Sequence, residues 1–131
     1  MNFFTTSLPG VMKIEPSLNE ILGKKILKDK STKEFNKFLK DLNLENAYEL
    51  SINRGVKMDF DFTSSSGLVR CIIGKVEIEV ISGNNEKKLV ETLTEENHFQ
   101  IFIQQGYQIN LTSLDDKSII EINTDKEQLP F

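Results

Sequence analysis

The sequence has little of several residue types on which protein chemistry often depends. Its 131 residues include one His, one Cys, three Pro and no Trp. The single Cys, Cys71, excludes an internal disulfide framework and is typical of a reducing compartment. The single His, His98, excludes a His-rich metal site within one chain. We therefore expect neither a metal nor another cofactor.

Long hydrophobic runs and an excess of positive charge are also missing. No apolar run approaches the roughly 18 residues that a membrane span needs. The first six residues have neither the basic region nor the apolar stretch of a signal peptide. Asp and Glu number 20 against 16 Lys and Arg, so the net charge is −4. These features predict a cytoplasmic protein that binds neither nucleic acid nor membranes.

The composition that remains is that of a folded globular domain. Hydrophobic residues make up 38% of the chain and charged residues 27%, as in soluble globular proteins. A chain of this length can bury roughly two thirds of the surface that its unfolded form exposes. No linker-like cluster or repeat divides the sequence, so we expect a single domain over residues 1–131.

Short stretches of alternating apolar and polar residues dominate the chain. The alternation is clear over 48–52, 58–62 and 76–80, and further candidate strands follow up to residue 122. Turn signals such as Ser64–Gly67 separate strands of about five residues at spacings near ten. This pattern predicts an all-β antiparallel sandwich or barrel.

One segment has the pattern of a helix. Ser31 and Glu34 fit a capping box, and Phe35, Phe38, Leu39 and Leu42 follow at helical spacing. We expect this apolar stripe to pack on the domain's own core, and a groove for a partner is the alternative.

Blocks of residues along the chain resemble one known family. The segment 8–16 reads Leu-Pro-Gly-Val-Met-Lys-Ile-Glu-Pro, and Arg54-Gly55 follows. Leu-Val-Arg-Cys at 68–71 and Glu-Asn-x-x-Gln at 96–100 are the most specific blocks, and Gly106-Tyr107 comes after them. In this order and spacing they resemble the dTDP-4-dehydrorhamnose 3,5-epimerase family.

The resemblance implies a fold, an assembly and a ligand. The fold would be a cupin-like jelly roll with one short helix in its N-terminal half, forming a homodimer through exchange of N-terminal strands. The ligand would be a nucleotide sugar of deoxysugar or surface-polysaccharide biosynthesis. Members of the family remove a proton next to a 4-keto group and return it on the opposite face, which needs a base and an acid.

The family's catalytic residues do not carry over to this chain. Its two His positions fall on Lys57 and Ile109, and its Tyr position falls on Glu121 in an ungapped alignment. Isoleucine cannot transfer a proton, so standard 3,5-epimerisation is not expected. Lys57 and Glu121 are the weak catalytic candidates that remain, and another isomerisation is left open.

The candidates for binding the nucleotide sugar are Arg54, Asp59, Arg70 and Tyr107. Arg54 matches a family Arg that contacts phosphates, Arg70 lies in the best-matched block, and Tyr107 could stack on a base. If the family's strand orientation holds, Lys57 faces the barrel interior, with Asp59 or Glu121 as its partner. The alternatives are a solvated sheet face for Lys57 and Asp59, a structural ion pair for Arg54, and core packing for Tyr107.

Two hypotheses about function follow. The first is a sugar-nucleotide-binding protein that resembles the epimerase and lacks its standard activity. The second is a non-catalytic cupin scaffold that binds a partner protein. A polar, open barrel mouth with Arg54 and Lys57 pointing inward would favour the first, whereas an interior filled with apolar side chains is compatible with the second.

Overall fold

The computed structural model describes residues 2–15, 37–84 and 86–126, and these residues are almost entirely β-structure. A short helical segment covers residues 37–41. The strands are β1 (Asn2–Thr5), β2 (Val11–Glu15), β3 (Asn46–Asn53), β4 (Lys57–Phe62), β5 (Gly67–Ile73), β6 (Lys75–Ser82), β7 (Lys88–Thr94), β8 (Gln100–Ile103), β9 (Tyr107–Ser113) and β10 (Lys117–Thr124).

The strands form two antiparallel sheets that pack as a sandwich. Sheet A has the order β1-β2-β8-β5-β10-β3, and sheet B has the order β4-β9-β6-β7. Strands next to one another in a sheet are often far apart in sequence, as β2 and β8 are. The all-β antiparallel sandwich predicted from the strand spacing is confirmed, and it agrees with the cupin-like fold that the motif resemblance implies.

The main core lies between the two sheets because successive side chains of a strand point to opposite faces. In β4, Phe60 and Phe62 are buried between the sheets while the residues next to them in the chain are exposed. In β9, Ile109 and Leu111 are fully buried in the same core, and Ile122 of β10 meets them from sheet A. Burial of apolar surface on this scale is the main source of the fold's stability.

A smaller apolar cluster lies on the outer face of sheet A. Leu68 and Phe102 belong to it, and Phe38 and Leu39 of the helical segment pack against it. These contacts place Phe38 and Leu39 of the apolar stripe on the domain's own sheet, as expected, whereas Leu42 is exposed. Phe35 and the predicted capping box at 31–34 lie outside the described residues. No helix among the described residues has the length and hydropathy to cross a membrane.

The turn that follows the helical segment contains a residue with left-handed backbone conformation. Asn43 has φ of 59°, a conformation that Asn tolerates better than most residues. The Leu44 amide then donates to the Leu39 carbonyl at 2.7 Å. This turn directs the buried Leu44 side chain onto the outer cluster before β3 begins.

The first strand, β1, was not predicted from the sequence. It pairs with β2 of the same chain, and Phe3 lies opposite Ile14. The connection between the two strands is tied by Thr6, whose hydroxyl donates to the Val11 carbonyl at 2.8 Å. Gly10, at φ of 79°, supplies the turn, and an added Cβ there would collide with the Gln104 side chain.

Candidate functional site

The interior of the sandwich is the place where the motif resemblance puts a substrate. Strand β4 presents Met58, Phe60 and Phe62 to it, and β9 presents Tyr107 and Ile109. Ile109, which the motif alignment placed at a His position of the resembled family, is fully buried among apolar side chains. Among the described residues, no carboxylate, ammonium or imidazole is buried. This part of the interior therefore has no group that could accept a proton at neutral pH.

The acidic and basic residues of β4 lie on the other side of sheet B. Lys57, Asp59 and Asp61 are exposed, and Asp59 lies opposite Asn110 of β9. With the Asn110 amide oriented to donate, its nitrogen lies 2.5 Å from Asp59 Oδ1. The expectation that Lys57 faces the interior is wrong, because the two-residue period of β4 gives the interior positions to its aromatic neighbours.

Asp61 closes a local turn at the end of β4. Its carboxylate accepts hydrogen bonds from the Thr63 hydroxyl at 2.6 Å and from the Thr63 amide at 2.9 Å. The Thr63 hydroxyl, followed by the Thr63 amide, holds the pKa of Asp61 below its usual range. This carboxylate therefore stabilises the turn in its ionised form and is poorly suited to act as a base.

Glu121 lies on the outer face of sheet A. Its neighbours in β10, Ile120 and Ile122, are buried in the core, so Glu121 points away from it. Arg70 donates to Glu121 Oε1 through Nη2 at 2.9 Å and through Nε at 3.0 Å. Lys57 and Glu121 thus occupy opposite outer faces of the sandwich and cannot act on one substrate as a base and acid pair.

Arg54 lies in the turn between β3 and β4 and is bound to the turn between β9 and β10. Its Nε donates to Asp116 Oδ1 at 3.0 Å, and its Nη2 lies 4.0 Å from Asp115 Oδ1. The Arg54 side chain is 62% exposed. The arrangement is the surface ion pair that the sequence left open as an alternative, and such pairs contribute about 1 kcal/mol or less.

Tyr107 is buried, and its hydroxyl donates to the Pro9 carbonyl. The ring belongs to the core cluster. Through its hydroxyl, Tyr107 of β9 therefore links β9 to the connection between β1 and β2. Core packing, the alternative use that the sequence allowed for Tyr107, is what the geometry shows. Stacking on a nucleotide base would require the ring to leave this position.

Two contacts with structural roles were not predicted from the sequence. The first is the turn around Asn97, and the second is the Lys13–Glu91 ion pair. The Asn97 side chain accepts hydrogen bonds from the amides of Thr94 and Phe99, at 3.2 and 3.0 Å, and donates to the Thr92 carbonyl at 3.2 Å. It thereby shapes the turn from β7 to β8, where exposed His98 has φ of 56°. The Glu-Asn-x-x-Gln block was a signal that this position matters, although its role required the turn geometry.

A half-buried ion pair connects the two sheets at their edge. Lys13 Nζ of β2 lies 3.5 Å from Glu91 Oε2 of β7 and 4.1 Å from the Phe99 ring centroid. The two charged residues are 78 positions apart in sequence, so no local pattern indicated the contact. The Lys13 ammonium contacts both the Glu91 carboxylate and the face of the Phe99 ring. The pair therefore connects sheet A with sheet B.

Cys71 is a buried thiol whose acidity gives a pH-dependent prediction. Burial, with Glu95 and Glu96 adding to it, raises the pKa of the Cys71 thiol to about 11. The unfolded chain loses this proton near the ordinary value of 9.0, whereas the folded chain keeps it. We expect the Cys71 contribution to stability to be present below pH 9.0 and to be lost as the pH rises towards 11.

Urea unfolding of the wild-type chain and of Cys71→Val, measured across this pH range, isolates the contribution of the thiol. The wild-type chain should lose more stability with rising pH than the variant does. Parallel pH dependences for the two proteins would contradict the buried, protonated thiol.

No group of three or more His, Cys, Asp or Glu side chains placed to hold a metal ion occurs in the described ranges. The ionisable candidates are spread over three surfaces: the outer face of sheet B, the outer face of sheet A, and the turns that contain Arg54 and Asp116. The structure therefore does not bring the residues predicted from the sequence together into one site.

Comparisons with known proteins give a clear result for the fold alone. No protein-family profile matches the chain, and a search of curated proteins finds no match. Solved structures do match. A dTDP-4-dehydrorhamnose 3,5-epimerase from Elizabethkingia anophelis superposes with a TM-score of 0.72 at 19% identity, over 96% of this chain and 74% of that one.

Two further structures agree with this match. The RmlC epimerase of Mycobacterium tuberculosis gives a TM-score of 0.74 at 18% identity, over 98% of this chain and 69% of that one. An RmlC epimerase from Legionella pneumophila gives 0.71 at 16% identity, over 95% and 71%. The chain has the fold of the 3,5-epimerases, as the motif resemblance predicted.

Proposed function

We propose that this chain is a non-catalytic binding protein built on the epimerase fold. The observation that carries the proposal is the apolar interior, in which Ile109 is fully buried and no described carboxylate, ammonium or imidazole is enclosed. Proton abstraction next to a keto group needs a base within hydrogen-bond reach of the substrate. Lys57 and Glu121, the remaining candidates, lie on opposite outer faces of the sandwich, where Lys57 is exposed and Glu121 is paired with Arg70.

The partner that the geometry favours is another protein. A sandwich filled with apolar side chains offers its outer faces and its edges for binding. Support comes from the outer face of sheet B, where Asp59 and Lys88 are exposed and Lys88 Nζ pairs with the half-buried Glu79 at 3.1 Å. We place such a scaffold in the cytoplasm, in deoxysugar or surface-polysaccharide biosynthesis, on the strength of the fold it shares with epimerases of that chemistry.

A nucleotide sugar is the second candidate ligand. Similar structures support it: the Legionella pneumophila epimerase was solved with dTDP-4-keto-L-rhamnose and the Streptococcus suis RmlC with dTDP-D-xylose. Arg54 and Arg70 are the cations that would contact phosphates in this case. Both are engaged by carboxylates in the described structure, so a nucleotide would have to displace an ion pair.

A thermal-shift titration with dTDP, UDP, GDP and CDP separates the two candidates. A ligand at a hundred times its dissociation constant adds about 2.7 kcal/mol of stability, which raises Tm by several degrees. We expect no nucleotide at millimolar concentration to raise Tm by that amount. A shift with one nucleotide that Arg54→Ala removes, and that Lys57→Ala leaves in place, would overturn the scaffold in favour of a nucleotide site.

Catalysis is tested separately by solvent deuterium exchange into a dTDP-4-keto sugar. We expect deuterium incorporation at C3 and C5 to be no faster than in the reaction without protein, because no described carboxylate or imidazole is buried in the core. Enzyme-dependent incorporation at either carbon would contradict the proposal directly, whatever the thermal shifts show.

A further inference from the structure

Strand β3 is the longest of the four edge strands that the described residues form. The edge strands are β1, β3, β4 and β7, and β3 spans eight residues. It pairs with β10 over eight consecutive residues in unbroken register. Within the described ranges, no strand lies on its other side. One long margin of sheet A therefore ends in an open strand.

Strand β3 has few of the features by which natural proteins protect such a margin. Edge strands are commonly protected by short length, by proline, by bulges or by several charged side chains. Strand β3 reads Asn-Ala-Tyr-Glu-Leu-Ser-Ile-Asn, with no proline and one charge. Strand β4, by comparison, has three charged residues among six. The margin at β3 is therefore suited to accept another strand.

The register with β10 shows which backbone groups of β3 face outward. The Arg54 amide donates to the Asp116 carbonyl at 3.1 Å, one residue beyond the last pair of the two strands. Hydrogen-bonded pairs of antiparallel strands occur at every second residue. Ala47, Glu49 and Ser51 lie at odd spacings from Arg54, so their backbone groups point away from β10. Each of the three presents one donor and one acceptor to a neighbouring strand.

The side chains of β3 define the chemistry of such a neighbour. Tyr48 and Leu50 lie on the same face of β3 as the core residue Ile52 and are half-buried. A strand added beside them would cover apolar surface. Glu49 is exposed on the opposite face, and Glu45, just before β3, is exposed as well. A complementary strand would therefore alternate apolar residues, on the core side, with basic residues beside these carboxylates.

We propose that a partner protein binds along β3 by adding to sheet A an extended segment of alternating basic and apolar residues. The inference rests on the proposed function, a non-catalytic binding protein, and names the surface and the kind of partner. Strand addition takes its affinity from backbone hydrogen bonds and its specificity from alternate side chains. The net charge of −4 favours the approach of a basic segment.

Amide hydrogen exchange of the chain alone tests whether this edge is open. The amides of Ala47, Glu49 and Ser51 should exchange about tenfold faster or more than their neighbours in β3, which pair with β10. Slow exchange of the three amides at every protein concentration would show an edge already paired within the chain. Protection that grows with protein concentration would place a second copy there. Either result would overturn the proposal.

The second test titrates the isotope-labelled chain with the synthetic peptide acetyl-Lys-Val-Lys-Val-Lys-Val-Lys-amide, followed by NMR. Binding should shift and protect the amides of Ala47, Glu49 and Ser51. A peptide with N-methylated amides at its lysines cannot donate to the β3 carbonyls and should not bind. With glutamate in place of lysine, binding should weaken about tenfold or more. Absence of binding at millimolar peptide, or equal binding of the N-methylated peptide, would overturn the proposal.

Two variants of residue 49 separate backbone pairing from charge. Glu49→Pro removes one outward amide, which an edge strand tolerates, and should raise the dissociation constant of the basic peptide about tenfold. Glu49→Gln keeps the amide and should weaken binding about threefold, an effect that added salt removes. Glu86→Gln, at an exposed acid between β6 and β7, is the matched control and should leave binding unchanged. Unchanged binding by Glu49→Pro would overturn strand addition, and the N-methylated peptide tests the same contact without altering the protein.

The outcomes also separate this inference from the proposed function. Absence of peptide binding, together with no catalysed deuterium exchange, would overturn the β3 site and leave the non-catalytic role in place. Catalysed deuterium exchange would instead overturn the proposed function itself.

Discussion

Replacing Phe62 with alanine should lower the free energy of unfolding by about 3–5 kcal/mol. The Phe62 side chain is fully buried between the sheets, so truncation removes a large apolar group and leaves a cavity that the neighbouring strands cannot close. Urea unfolding followed by circular dichroism measures the loss. Val90→Ala, at an exposed position of β7, should change stability by less than about 1 kcal/mol. A small effect at Phe62 would contradict a tightly packed interior.

The same ring explains why residue 67 is glycine. A Cβ added to Gly67 would lie 2.5 Å from the Phe62 ring, closer than non-bonded atoms tolerate. Gly67→Ala alone should cost about 1–3 kcal/mol through this clash. In the Phe62→Ala background the ring is absent, so the second substitution should cost little. Strict additivity of the two changes, within about 0.5 kcal/mol, would show that the ring and Gly67 are not in contact.

Replacing Ile109 with histidine should destabilise the chain by about 3 kcal/mol or more at pH 8, where the imidazole is neutral. The substitution removes a fully buried apolar side chain and encloses a polar ring among Phe60, Val80 and other apolar groups. The matched control is Lys57→His, at the other His position of the resembled family. Because Lys57 is exposed, that change should have almost no effect on stability.

The loss in Ile109→His should grow as the pH falls. Burial disfavours the charged imidazole, so its folded-state pKa lies below the ordinary value of about 6.5. The unfolded chain then binds a proton that the folded chain does not, and folding stability decreases as the pH drops below that ordinary value. A variant that folds normally and whose imidazole titrates near the ordinary value would show a hydrated, polar interior.

Such an outcome would also remove the central support for a non-catalytic role. The proposed function depends on residue 109 being part of the core, and Ile109→His changes that residue alone. Full stability of Ile109→His together with deuterium exchange into a keto sugar would reopen catalysis on this fold. Strong destabilisation with unchanged behaviour of Lys57→His would confirm that the interior serves folding.

Much of the fold could be predicted from local patterns in the sequence. The alternation in 58–62 and 76–80 gave the strands correctly, because a half-buried strand requires an apolar side chain at every second position. The turn residues marked the ends of the strands. Strand β1 was not predicted because its four residues, Asn-Phe-Phe-Thr, show no alternation of apolar and polar side chains. All four side chains are exposed in the structure.

The candidate site could not be predicted in the same way. Motif matching placed Lys57 at a position assigned to the interior, while the alternation of β4 assigned the interior to Met58, Phe60 and Phe62. The structure agrees with the alternation. Burial of three large apolar side chains is worth several kcal/mol, whereas enclosing a lysine without a partner would cost free energy. The hydrophobic pattern therefore decided which face of β4 points inward.

The sequence by itself determined most of the strands along the chain and the faces that they bury. These properties depend on residues close together in sequence or on the identity of one residue at a time. Tertiary structure alone decided that Arg70 meets Glu121, that Lys13 meets Glu91 and that Tyr107 holds the Pro9 carbonyl. Arg70 and Glu121 lie opposite each other on neighbouring strands of sheet A, whereas the other two contacts join the two sheets. All three depend on segments that are far apart in sequence and meet only in the assembled fold.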